Sequence, residues 1–384
     1  MFEEWPNQKT LYLKSPIDIP NYQYKLTVHE GTGTDLGNII FLSGCEADFS
    51  DVRFIYNEQV IPFTRESILE GDRAVFIIRV SIKQGNHFLR VYWGRTSYRS
   101  PESPDAVYDV YDPCTSIKSS WVLEGNMANQ ISSGEFGISL PITSTSACAR
   151  IIQKLPYSLE RSFIIEGQCY HDNFRDTMSY LSIGLCKKSI NAAPSFGAYT
   201  LTFGCHFRGG DLNTPDTHVG YAYNYKDSAL HQYLVDSNIV HNGTWIAFKY
   251  IGDLVSKKGV FSMVIDGTTY VYETPQSEIP LQNDTQYLMI QRMGNDANTS
   301  VAYIKNIRVR TYSLIEPMIV GSTSSYARKI LWKRKTTDDF TLNAGEIGYC
   351  STNGEVRIGL LDNQPFKSGL ELTSTNTDFG DLDI

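Results

Sequence analysis

The sequence predicts an all-β protein built from several modules, and three observations predict it. Apolar and polar residues alternate over short runs through most of the chain, the period-2 pattern of half-buried strands. Gly, Asn and Asp gather between those runs, where hairpin turns need them. The chain holds 24 tyrosines against 7 methionines, and aromatic side chains suit a pleated surface. No stretch sustains the 3.6-residue apolar period of an amphipathic helix.

Taken in order, residues 1–21 hold three prolines and no periodic pattern, so an extended N-terminal arm is expected. Residues 22–113 come next as a small antiparallel β-sandwich. Its strand candidates are Tyr24 to Val28, Val52 to Ile55, Ala74 to Val80 and His87 to Trp93, separated by Gly- and Asp-rich turns. Residues 114–314 carry longer strands: Arg161 to Cys169, Ser179 to Cys186, Ala198 to Phe207, Thr244 to Ile251, Val260 to Ile265, Thr268 to Glu273, Gln286 to Gln291 and Ser300 to Arg310. Asp266-Gly267 between two of these runs predicts a type I′ hairpin turn. Residues 315–384 form the last segment. There Glu346 to Tyr349 and Glu355 to Ile358 read as two short strands of a hairpin joined through Asn353-Gly354. The basic run Arg328 to Arg334 alternates with apolar residues, as a strand with one solvated face does.

Composition narrows the function. With 384 residues and 41% apolar content there is room for two or three folded domains. A net charge of −8, from 42 acidic and 34 basic residues, provides no basic field for nucleic acid or an anionic membrane. No apolar run is long enough to cross a bilayer, and Met1 to Pro6 lacks a signal-peptide core, so no membrane insertion is expected. The seven cysteines (Cys45, Cys114, Cys148, Cys169, Cys186, Cys205, Cys350) are odd in number and lack C-x-x-C spacing. They predict reduced, mostly buried thiols made in a cytoplasm, without a zinc site.

Three resemblances sharpen this. Ala344-Gly345-Glu346-Ile347-Gly348-Tyr349, Ser351 to Gly354 and Val356-Arg357-Ile358-Gly359, with the basic strand before them, resemble a hairpin module of tail fibres and receptor-binding proteins of tailed bacteriophages. Asp48-Phe49-Ser50-Asp51-Val52-Arg53-Phe54, Ile61-Pro62-Phe63, Ala74 to Ile77, Gly85-Asn86 and Val91 to Gly94 resemble a β-sandwich module of unknown function. That module stands directly upstream of concanavalin A-like domains in surface proteins. Trp245-Ile246-Ala247-Phe248, Val264 to Gly267 and Tyr303 to Val309 are similar to the late strands of a concanavalin A-like, laminin-G-like jelly roll.

Together these resemblances imply a structural virion protein of a tailed phage, a tail-fibre or receptor-binding component made in the host cytoplasm. The partners implied are other virion proteins, copies of itself (a trimer favoured) and a host-surface glycan. A hairpin this short has too little core to stand alone, so Trp332, Glu346, Tyr349 and Ile358 are assigned to assembly. The alternatives are a secreted non-viral lectin or adhesin, or a polysaccharide hydrolase.

Catalytic residues do not emerge. Laminarinase-type hydrolases on this scaffold carry E-x-D-x-x-E along one strand, and a retaining mechanism needs two carboxylates ~5 Å apart. Such a run is missing, as are G-x-S-x-G, H-E-x-x-H and a P-loop, so a non-enzyme is expected. Asp211 to Gly220 is similar to the metal loop of legume-type lectins but lacks the Glu-x-Asp that precedes it. Asp/Asn/Pro turn chemistry accounts for the loop, and no metal or cofactor is assigned. Asp48, Asp51 and Asp109 are likewise read as turn and capping residues. Beside the loop, Tyr221, Tyr223 and Tyr225, with Asn224, Asp216 and His218, offer aromatic faces and hydrogen-bonding groups to a glycan. The same tyrosines also fit an ordinary strand.

Overall fold

The computed structural model describes residues 5–95, 102–143, 147–156, 162–171, 180–187, 201–208, 218–226, 229–239, 243–256, 258–273, 285–294, 300–326, 332–335, 347–350 and 356–358. Strands dominate. Among the described residues the helices are one α-turn, Pro104–Val107, and one 3-10 turn, Ala128–Gln130.

The first layer pair is a sandwich. A four-stranded sheet runs Ile39–Leu42, Ile19–Glu30, Arg73–Ile82, Phe63–Leu69. A five-stranded sheet runs Met318–Tyr326, Asn7–Ser15, Gly85–Trp93, Arg53–Tyr56, Gln59–Val60. Pairing is antiparallel except between Ile19–Glu30 and Ile39–Leu42. Leu26, Val28, Leu11, Leu13, Leu89 and Val91 fill the space between the sheets around Phe54, Phe63 and Phe76. The three rings meet at 5.2–6.0 Å, edge-on or tilted. Burying each such side chain stabilises by about 1.5–3 kcal/mol.

Two segments depart from expectation. Residues 7–15, read as part of an arm, form a central strand with Leu11 and Leu13 facing inward. Pro6 and Pro16 bracket that strand rather than interrupt it, and Pro20 falls at the start of the next strand, Ile19–Glu30; together they mask the alternation. Residues 318–326, assigned to the C-terminal module, return to the sandwich and pair with Asn7–Ser15. Lys9 and Asp35 form a buried ion pair of 2.9 Å there. The Asp35 carboxylate also accepts hydrogen bonds from the Ser322 hydroxyl and, at 2.8 Å, the Phe41 amide.

The second layer pair is the jelly roll. Its seven-stranded sheet runs Trp121–Glu124, Ala147–Lys154, Thr285–Gly294, Tyr180–Lys187, Leu201–Arg208, His218–Lys226, Ala229–Ile239. Its eight-stranded partner runs Ser132–Gly134, Gly137–Ile142, Ser300–Thr311, Phe163–His171, Trp245–Asp253, Lys258–Ile265, Thr268–Glu273. Val110–Asp112 pairs laterally with Ser300–Thr311. Ile151, Ile183, Leu288 and Ile290 from one sheet pack on Ile165, Phe248, Phe261 and Ile304 from the other. The hairpin at Asp266-Gly267 forms as predicted: both residues have positive φ (47° and 79°), and Ile265 pairs with Thr268 across the turn. Cys114, Cys148 and Cys169 are buried; desolvation, the largest cause, pushes the Cys148 thiol up to about 11 and the Cys114 thiol to about 12. Asp48 and Asp51 do serve turns, accepting from the amides of Ser50 and Glu46, whereas Asp109 forms an ion pair with Arg79 at 3.1 Å.

The two strands expected of the C-terminal hairpin do pair, while the Asn353-Gly354 turn between them lies outside the described residues. Ile347–Cys350 pairs antiparallel with Val356–Ile358, and Trp332–Lys335 adds a parallel third strand.

The two layer pairs are joined by side chains. Gln23, fully buried, donates to the Val107 carbonyl and accepts from the Thr311 amide at 2.8 Å. Arg308 of the jelly roll reaches Glu66 of the sandwich at 3.0 Å.

Candidate functional site

Of the glycan-binding candidates, His218, Tyr221, Tyr223, Asn224 and Tyr225 lie in the seven-stranded sheet. Register aligns Glu124, Arg150, Gln291, Ser182, His206 and Tyr221 across six consecutive strands. Arg150 is fully buried; its Nε donates to Gln291 at 2.7 Å and its Nη1 faces Glu124 at 3.4 Å. Tyr223 pairs with Gly204 in the next row. Tyr221, Tyr223, Asn224 and Tyr225 share the strand His218–Lys226. His218 stands at the start of its strand, opposite Ile239. Asp216 lies outside the described residues, as does Glu346. Trp332, Tyr349 and Ile358 belong to the small C-terminal sheet.

A better-defined constellation lies on the outer face of the eight-stranded sheet. From Ile165 to His171 side chains alternate, with Ile165 and Cys169 inward and Glu166, Gln168 and Tyr170 outward. Trp245, Ala247 and Lys249 point outward from the adjacent strand, and Tyr303, Lys305 and Arg308 from the strand on the other side. Register stacks these into rows.

The first row is aromatic: Tyr303 opposes Tyr170, which opposes Trp245. Tyr170 lies 5.6 Å from Trp245 and 6.1 Å from Tyr303 between ring centroids. Phe136, 68% exposed in the adjoining hairpin turn, continues the row at 6.3 Å from Tyr303. The Lys305 ammonium sits over the Trp245 ring at 3.8 Å, a cation–π contact. Beyond Tyr303 the row ends in two hydroxyls, Ser139 and Ser132, hydrogen-bonded at 2.7 Å.

The second row is charged: Tyr111, Arg308, Glu166, Lys249 and Ser262 align across five strands. Arg308 joins Glu166 (3.6 Å) to Glu66 (3.0 Å), and Arg310 adds a second contact to Glu166 at 3.3 Å. Desolvation alone would raise the Glu66 carboxyl, but the hydrogen bond from Lys25 and the charges of Lys25, Arg308 and Arg310 outweigh it and hold it below its usual value. Over this row the sandwich strand Phe63–Leu69 and Tyr108 form a wall, closing a cleft of about 520 Å³.

This face escaped the sequence reading because its members come from strands far apart in the chain. The available signal was that Tyr170, Trp245 and Tyr303 all occupy outward positions, where polar residues are the rule.

No family model matches the chain, and a search of curated proteins finds no match. Solved structures similar to it include a legume lectin-like domain from Entamoeba histolytica (TM-score 0.37, 12% identity, covering 50% of this chain and 91% of that one). A Lotus tetragonolobus seed lectin aligns with TM-score 0.40 and 10% identity over 56% of this chain and 98% of its own. An alginate lyase from Pseudomonas aeruginosa aligns with TM-score 0.35 and 13% identity over 50% of this chain and 99% of its own.

Proposed function

We propose that the protein is a non-catalytic attachment component of a tailed-phage virion, holding a host-surface glycan on the outer face of its eight-stranded sheet. The row Phe136–Tyr303–Tyr170–Trp245 carries this reading. Pyranose rings present C–H faces that pack on aromatic faces, while nearby hydroxyl, amide and ammonium groups bind their oxygens. The row supplies the aromatic faces, with Ser139, Gln168, Lys305 and Asn306 around it. The half-exposed rings lie outside the hydrophobic core and are available to a ligand. The virion assignment is supported by the C-terminal hairpin and by its sequence resemblance to tail-fibre modules.

Trp245→Ala and Tyr170→Ala should each weaken glycan binding about tenfold, equivalent to ~1.4 kcal/mol, with the melting temperature little changed. The readout is binding of the purified protein to a glycan array and to bacterial cells, with reducing-sugar release measured in parallel. Unaltered binding by both folded variants removes the site, and sugar release by the wild type removes the non-catalytic reading.

A further inference from the structure

The cleft beneath the sandwich continues the aromatic face, and its charge is unbalanced. Its floor carries Lys249, four residues along the same strand from Trp245, a span of roughly 13 Å at strand rise. The other charged groups of the cleft are mutually occupied. Arg65 pairs with Glu102 at 2.5 Å, Glu66 with Lys25 and Arg308, and Glu166 with Arg308 and Arg310. Glu66 and Glu166 therefore answer Lys25, Arg308 and Arg310, and Glu316, the further carboxylate whose charge reaches Lys249, makes no ion pair with it. Among the described residues no carboxylate stands within ion-pair distance of its ammonium. The half-buried amine is disfavoured as a cation, first by desolvation and then by Arg310, although Glu166 and Glu316 oppose this; the net effect holds it below the ordinary lysine range. A partly desolvated ammonium with no counter-charge of its own is set up to gain from an incoming anion. Beside it stand groups suited to sugar hydroxyls, the Ser262 hydroxyl and the Gln168 and Asn306 side-chain amides, with the Tyr108–Tyr111 ring pair, 5.8 Å apart, on the wall.

We propose that the glycan is acidic, and that the cleft takes the carboxylate of one of its sugar residues on Lys249 while a neighbouring sugar stacks on Trp245 and Tyr170. This rests on the reading of the aromatic face as a glycan platform and adds the class of sugar. Carboxylate and sulfate share the chemistry that Lys249 recognises, and a carboxylate is the form assigned.

The test uses the full chain and paired probes: oligosaccharides containing uronate or sialate, their carboxyl-reduced counterparts, and sulfated neutral oligosaccharides. Affinities are measured by calorimetry for the wild type, Lys249→Gln, Lys249→Arg and Trp245→Ala, each checked by thermal melting. The wild type should bind a carboxylated probe at least tenfold tighter than its reduced counterpart. Lys249→Gln should abolish that preference while keeping affinity for the reduced form, and Lys249→Arg should retain it. Trp245→Ala should weaken both forms alike. A wild type with no preference for any carboxylated probe overturns the assignment, as does a preference that survives in Lys249→Gln or a stronger preference for the sulfated probe. In those cases the platform still stands if Trp245→Ala weakens binding, and falls with the assignment if it does not.

Discussion

Arg308 shows how one side chain can serve two modules. Its guanidinium bonds Glu66 of the sandwich, faces Glu166 on its own sheet and lies 5.8 Å from the Tyr108 ring centroid. Planar, permanently charged and multiply donating, it can hold two carboxylates and a ring at once, which lysine cannot. The pH dependence of this junction comes from Glu66. Because its folded value lies below the ordinary glutamate value of 4.5, its contribution is present above that value and is lost as the pH falls through the lowered one. Glu66→Gln should therefore cost about 1–2 kcal/mol at pH 7. The wild-type advantage should shrink on acidification and be gone once Glu66 is protonated. Melting temperatures of both proteins from pH 7 to pH 3 check this, and parallel curves at constant separation would remove Glu66 from the account.

At the scale of elements, the strand Asn7–Ser15 is the keystone of the five-stranded sheet, hydrogen-bonded on both edges. Its buried Lys9–Asp35 pair ties it to the loop before Ile39–Leu42. Asp35→Ala leaves the Lys9 ammonium buried without its counter-charge and should destabilise the fold by about 3–5 kcal/mol. Asp35→Asn, which keeps hydrogen-bonding capacity, should cost less. Urea unfolding of the three proteins distinguishes these costs, and an Asp35→Ala midpoint equal to wild type contradicts the pairing. The same sheet marks where sequence reading stops. Thr268–Glu273 and the Asp266-Gly267 turn were legible because alternation and turn chemistry are local. Met318–Tyr326 was not: Ile319 enters the core, but Gly321, Ser322 and Thr323 carry no apolar period. Its reason for being a strand lies about 300 residues away, in Asn7–Ser15. The aromatic row was hidden by the same physics. Tyr170, Trp245 and Tyr303 were visible individually, but a row exists only once the register of three strands is known. Tyr221 and Tyr223, by contrast, drew notice as close sequence neighbours, and closeness in sequence says little about what else shares their sheet face.

For the whole molecule, we propose that copies of the chain assemble through the C-terminal sheet of Trp332–Lys335, Ile347–Cys350 and Val356–Ile358, whose strands span only three or four residues each. The cut that tests this must spare Met318–Tyr326, because that strand completes the sandwich. On this proposal the full-length chain is a trimer and truncation after Tyr326 should leave a folded monomer, read by light scattering with circular dichroism as the control. Equal masses for the full-length and truncated chains would rule out assembly through this module.

The pairing of Asn7–Ser15 with Met318–Tyr326 also fixes how the molecule bears tension. Antiparallel register puts Asn7 beside Tyr326, so the chain enters and leaves the sandwich at one corner. A pull applied between the chain ahead of Asn7 and the chain beyond Tyr326 loads those two strands end-first and parts their hydrogen bonds in succession. The jelly roll, inserted between the two strands in sequence, hangs outside that path. It is a pendant rather than a link in the line, and strain along the line reaches it only after the corner has opened.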